Sequence, residues 1–237
     1  MIFEADNLNL KQIADSGQCF RMNEIDDNTY SLIAYNRYTT LKQINETSID
    51  ISCARDEFED IWYNYFDLAY DYGAVCNSLI NGDDEFLSDA ASFGSGIRIL
   101  QQEPFEVLIS FIISQNKNIP AIKSSIETIS KMYGQKKTNG NITYYTFPSP
   151  KALSIASLRG LKEAKVGYRD KYIQNAAQIV ASGELDLNSL KAMDHDQAFK
   201  ELNKIYGVGP KVANCISLFG LHHLDMVPVD VWIKKTL

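Results

Sequence analysis

The chain has 237 residues, 45% of them hydrophobic and 22% charged, which is room for one large domain or two small ones and excludes wholesale disorder. Apolar runs such as 107–113 are too short to span a bilayer, the first residues lack a basic, apolar leader, and cysteines at 19, 53, 76 and 215 form no CxxC pair that would frame zinc or an iron–sulfur group. The formal charge of −7 speaks against a nucleic-acid partner, but residues 1–100 hold 6 Lys/Arg against 18 Asp/Glu while residues 101–237 hold 17 against 12, so a phosphate partner is expected to meet the second part.

Taken in chain order, the first elements read as strands. Cys19–Met22, Thr29–Tyr35, Tyr38–Ile44 and Ile49–Cys53 are rich in β-branched and aromatic residues and are separated by turn formers. An antiparallel meander is the simplest assembly. From about residue 74 the period becomes helical. Val75, Leu79 and Ile80 mark a short helix, and Phe105, Leu108, Ile109, Ile112 and Ile113 mark a buried one. Ile119, Ile122, Ile126 and Ile129 mark a third, with Pro120 in its first turn. A loop is expected over 134–143, then helices over 151–158, 169–181 and 195–206. The reading is an α+β chain, with an N-terminal antiparallel β-rich part over 1–95 and a mostly α-helical part over 96–237. Thiols in a chain without a leader point to a reducing cytoplasm.

The strongest local signal is Leu202 to Ile216, where an amphipathic helix runs into Gly207-Val208-Gly209 and a second helix leaves through Pro210. The glycines allow a tight reversal and close approach of another surface. The unpaired N–H groups and dipole at the second helix's start suit a phosphate. Such a helix-hairpin-helix grips a nucleic-acid backbone without reading sequence. A plain helical hairpin with glycines at its turn is the alternative. Lys211 lies in the first turn of the second helix, at the positive end of the dipole. A cation there costs stability, a placement suited to an amine used as a nucleophile, or to a simple phosphate contact. Cys215 shares its helical face, as a pocket wall or as core filling. Nineteen residues after Lys211, Val227-Pro228-Val229-Asp230 offers a carboxylate that could cap a helix or stabilise developing positive charge.

Together these residues resemble the helix-hairpin-helix DNA glycosylases, and within them the 8-oxoguanine DNA glycosylase/lyases. Three other segments resemble that family in matching order: Ser16-Gly17-Gln18-Cys19-Phe20-Arg21, Ser114-Gln115-Asn116-Lys117-Asn118-Ile119, and Gly167-Tyr168-Arg169. The resemblance implies base-excision repair of damaged double-stranded DNA. Lys211 would be the nucleophile at C1′ and Asp230 the catalytic carboxylate. Gly17 would offer its carbonyl to N7–H of 8-oxoguanine, and Cys215 would line the base pocket. Asn116 would fill the space of the flipped base, Tyr168 would wedge beside the opposite base, and Arg169 would contact it. Gly207, Gly209 and Val212 would hold a phosphate through the backbone. Amine attack followed by Schiff-base formation permits β-elimination, so the resemblance implies both glycosylase and AP lyase activity. It implies a monomer with no cofactor, metal or membrane partner, in the cytoplasm or the nucleus of a eukaryote.

Two features depart from the family pattern. Its arginine after the Asn-rich loop is matched here by Ala121, with Lys123 nearby, which implies weak discrimination of the opposite base. The chain also stops seven residues after Asp230, where the family continues into helices that supply an aromatic for the flipped base, and the position that often holds His is Trp232. The C-terminus therefore reads as short, either a fragment or a more open pocket. Two other readings stay open: a glycosylase for alkylated bases of the 3-methyladenine type, and a non-catalytic helix-hairpin-helix DNA-binding module. The first is disfavoured by Lys211, and the second leaves Lys211 and Asp230 unexplained.

Overall fold

A computed structural model describes residues 1–229 and 233–236; Asp230 and Trp232 lie outside the described residues. The backbone groups into two compact units. One comprises Met1–Ile33 and Tyr38–Gln101, the other Ala34–Arg37 and Gln102–Leu237.

The first unit is built on a five-stranded antiparallel sheet of β1 (Ile2–Glu4), β2 (Met22–Asp26), β3 (Thr29–Ala34), β4 (Arg37–Gln43) and β5 (Ser48–Ile51), in the order β1-β5-β4-β3-β2. The meander from β2 to β5 follows the expected alternation: Tyr30, Leu32 and Ala34 of β3 and Ile49 and Ile51 of β5 turn to the core. β1 adds a strand absent from the sequence reading, with Phe3 opposite Ile49. Helix α1 (Leu10–Asp15) buries Leu10 and Ile13. A continuous helical stretch follows, α2 (Arg55–Glu57), a π turn over Phe58–Trp62 and α3 (Tyr63–Tyr65). It buries Trp62, Tyr65 and Phe66, with Trp62 and Tyr65 edge to face at 5.7 Å. Helices α4 (Tyr72–Ile80) and α5 (Glu85–Phe93) complete the unit.

The unit ends at Gln101, beyond the 95/96 division read from the sequence, because residues 96–101 are stitched into it. The Gln18 amide donates to Arg98 O at 2.9 Å and accepts from Leu100 N at 2.8 Å. The Arg98 guanidinium donates to Asp67 O and Asp6 O at 2.8 and 2.7 Å.

The second unit is helical. Helix α6 (Pro104–Ser114) buries Val107 to Ile113, and each of the apolar side chains among them contributes about 1.5–3 kcal/mol. It packs against α7 (Ile119–Tyr133), α10 (Asp170–Ala181) and α13 (Pro210–Phe219). Short helices α8 (Pro150–Ser154), α9 (Leu158–Glu163), α11 (Leu187–Lys191) and α12 (His195–Leu202) surround them, and α14 spans Ile233–Thr236. The loop expected over 134–143 is instead a β-hairpin, β6 (Lys136–Asn139) paired with β7 (Ile142–Tyr145). Gly140 takes φ +56° at its turn, a conformation glycine adopts without steric cost. The strands are mostly exposed, so no apolar alternation announced them.

Candidate active site

The hairpin between α12 and α13 forms as the sequence implies. Gly207 has φ +87°, and a Cβ there would lie 2.3 Å from the Tyr172 ring. Glycine is thus required twice, by backbone and by contact. Gly209 is extended, with open space where a Cβ would be. Pro210 occupies the first helical position of α13, and no side chain caps that end. Ala213 N bonds to Gly209 O at 2.9 Å, so the N–H groups of Lys211 and Val212 precede the first intrahelical bond.

Lys211 is exposed. Its Nζ lies 5.8 Å from the ring centroid of Phe111 on α6, and Phe111 stacks on Phe219 at 5.5 Å. The amine nitrogen thus stands over a ring of the α6–α13 seam while the residue as a whole stays exposed. Val212 and Cys215 are buried, so the face shared by Lys211 and Cys215 runs from surface to core. Asn214, which the sequence reading passed over, donates to Val227 O at 3.3 Å, tying α13 to the segment that leads to Asp230.

The Asn-rich loop between α6 and α7 and the turn before α10 come together. Asn116 is exposed, with φ +49°, and its amide donates to the Tyr168 hydroxyl at 3.3 Å. Tyr168 is also exposed. Arg169 is buried. It donates to Val166 O at 2.9 Å and to Gln115 O, and it lies 4.5 Å from the centroid of the Tyr168 ring. As placed, its partners are carbonyls of its own chain, and it holds the loop that presents Asn116. Lys117 Nζ donates to Lys165 O at 2.7 Å and Ser125 Oγ at 2.5 Å. Burial, then the charges of Arg169 and Lys165, push its amine below the ordinary lysine value. Side-chain ¹³C NMR should find Lys117 titrating below the other lysines, and Arg169→Met should move it back up. Titration with the rest would contradict this placement.

Tyr172 was also missed. It stands four residues after Tyr168 and meets both Tyr168, at 5.9 Å, and Tyr206, at 4.7 Å. That i, i+4 aromatic spacing was the available signal. Gly17 lies in the first unit with φ +76°. Its turn is set by Ser16, whose hydroxyl donates to Ile13 O at 2.7 Å and accepts from Gln18 Nε2 at 3.0 Å. Among the described residues no group of three or more His, Cys, Asp or Glu could hold a metal, and no helix is long and apolar enough to cross a membrane.

Comparison with known proteins accounts for both units. Residues 1–108 match the family described as 8-oxoguanine DNA glycosylase, N-terminal domain, and residues 109–237 match HhH-GPD superfamily base excision DNA repair protein. The structure of MBOgg1 in complex with a low affinity DNA ligand superposes with a TM-score of 0.93 at 42% identity, covering 99% of this chain and 81% of that one. The Clostridium acetobutylicum 8-oxoguanine glycosylase/lyase, in complex with double-stranded DNA containing cytosine opposite 8-oxoG, gives 0.93 at 38% identity, covering 99% and 83%. A probable N-glycosylase/DNA lyase of Methanothermobacter thermautotrophicus is 35% identical over 192 residues, 73% of this chain, and the match spans 60% of that relative's length. The glycine hairpin that presents Lys211, the antiparallel sheet behind the Gly17 turn and these matches agree, and the chain belongs to the 8-oxoguanine DNA glycosylase family of the HhH-GPD base excision repair superfamily.

Proposed function

We propose that the chain is a bifunctional DNA glycosylase and AP lyase that removes 8-oxoguanine from duplex DNA. The observation that carries this reading is Lys211, an exposed amine in the first turn of α13, directly after a glycine hairpin whose N–H groups can take a phosphate. A phosphate held there brings the neighbouring sugar to the amine. The lesion must leave the base stack before its C1′ can be reached. Asn116 and Tyr168, exposed and adjacent, are the groups that fill and hold the gap.

In this reading Lys211 Nζ, as the free amine, bonds to C1′ while the bond from C1′ to the base breaks. The base leaves with the glycosidic electron pair and is protonated. The amine loses its protons as the sugar ring opens to a Schiff base, and abstraction of a C2′ proton then expels the 3′ phosphate. Asp230 stabilises the positive charge that develops at the sugar. The Gly17 carbonyl accepts N7–H of 8-oxoguanine, a proton that guanine lacks, and Cys215 backs the pocket. The backbone at Gly207, Gly209 and Val212 grips the phosphate, and Arg169 serves the opposite-base side by holding the Asn116 loop. The protein acts as a monomer on DNA in the cytoplasm or, in a eukaryote, the nucleus. No cofactor takes part.

Incubation with a duplex carrying one 8-oxoguanine, followed by borohydride, should yield a covalent protein–DNA adduct. Binding without adduct or base release would favour a DNA-binding module. Release of 3-methyladenine alone, without strand nicking, would favour an alkyl-base enzyme. With Ala121 and Lys123 where the family carries its cytosine-reading arginine, excision opposite C and opposite A should differ by less than about tenfold, since one bidentate base contact is worth roughly 1–3 kcal/mol. A strong preference for C would contradict this.

A further inference from the structure

Residues 115, 116 and 117 each bond to the turn at 165–169. Gln115 O accepts from Arg169, Asn116 Nδ2 donates to the Tyr168 hydroxyl, and Lys117 Nζ donates to Lys165 O. The Gln115 side chain turns the other way. Its amide nitrogen donates to Gly207 O of the glycine hairpin at 2.9 Å and to Ile112 O at 3.2 Å. Gly207 rests on the Tyr172 ring, and Tyr172 meets Tyr168. The contacts therefore close a ring: Gln115, Gly207, Tyr172, Tyr168, Asn116 and back to Gln115. The backbone of Asn116 takes φ +49°, a left-handed conformation that asparagine adopts more readily than most residues.

We propose that Gln115 is a positioning residue that couples the phosphate grip of the hairpin to the side chains that occupy the flipped base's place. The inference rests on the function proposed above. Arg169 fixes the Gln115 backbone, and the side-chain amide fixes the distance from that backbone to the hairpin. When the hairpin seats on a phosphate, Asn116 and Tyr168 are held in register with the same nucleotide. Without the amide, the hairpin still grips DNA, but the gap-filling pair is no longer indexed to it. A misplacement on the scale of an ångström is enough to cost one to two orders of magnitude in rate.

The test uses Gln115→Met, which keeps side-chain length and the Arg169 bond while removing the amide donor. Wild type is first shown to form the borohydride adduct; failure there overturns the functional reading rather than the coupling. Single-turnover excision at saturating enzyme is then expected to fall about tenfold, while affinity for undamaged duplex stays within about twofold. Gln115→Leu, uncharged and likewise lacking the donor, should show the same split, which guards against poor folding of the first variant. In an Asn116→Ala background Gln115→Met should cost nothing further. An unchanged excision rate, a parallel loss of duplex affinity, or an undiminished loss in the Asn116→Ala background would overturn the proposal.

Discussion

Lys211→Gln is expected to abolish the borohydride adduct and reduce strand nicking by at least about 10³-fold, as removal of a covalent nucleophile does elsewhere. The expectation comes from the placement of the amine. Lys211 is exposed at the start of α13, and its Nζ stands 5.8 Å from the centroid of the Phe111 ring. Glutamine matches the start of the stem but supplies no amine that can become an imine. The backbone of the hairpin is untouched, so affinity for duplex should change by less than about tenfold, the weight of one lost phosphate-facing charge. Gel analysis of trapped complexes and fluorescence anisotropy on one abasic-analogue duplex separate these quantities. An adduct that persists in the variant would assign the chemistry to another amine and sink the role given to Lys211.

Gly207→Ala should be the most damaging single-methyl change in the candidate site. A methyl there must take φ +87° and would stand 2.3 to 2.8 Å from three atoms of the Tyr172 ring. The ring has no free path, because it also meets Tyr168 and Tyr206. Left-handed strain and the clash together are expected to cost about 3 kcal/mol, a fall in melting temperature of roughly 6–12 °C for a chain of this size. Excision should fail with it, since the Gly207 carbonyl anchors Gln115. Gly209→Ala is the control. Its backbone is extended and nothing lies within 4 Å of the added methyl, so its melting temperature should move by less than about 2 °C. The methyl would project where a phosphate must approach, and duplex affinity is expected to fall about tenfold. Thermal melts and anisotropy on both variants decide the matter. Equal melting temperatures for the two would mean that Gly207 is not pressed on Tyr172.

How far the site was legible follows from the range of its interactions. The hairpin, Pro210 at the first helical position and Lys211 in the first turn are set by residues a few positions apart, and the structure shows them as read. The meander from β2 to β5 was legible because period-two burial is written in each strand. Helix α5 was not read, although Phe86, Leu87, Ala90 and Phe93 stand at helical spacing, and the structure buries none of its residues. Arg169 illustrates the limit most clearly. The resemblance implied a contact with the opposite base, and the structure adds bonds from its guanidinium to Val166 O and Gln115 O that no short-range pattern announced.

By itself the sequence determined the family, the glycine hairpin and the residue that carries the proposed chemistry, because each depends on local backbone geometry and on residue types at short spacing. Only the tertiary structure decided what holds those parts in register. The bond from Gln115 to Gly207 spans 92 residues, that from Gln115 to Arg169 spans 54, and that from Asn116 to Tyr168 spans 52. Pairings over such distances are fixed by how α6, α10 and α13 pack, and helix packing depends on the summed shape of many side chains rather than on any motif.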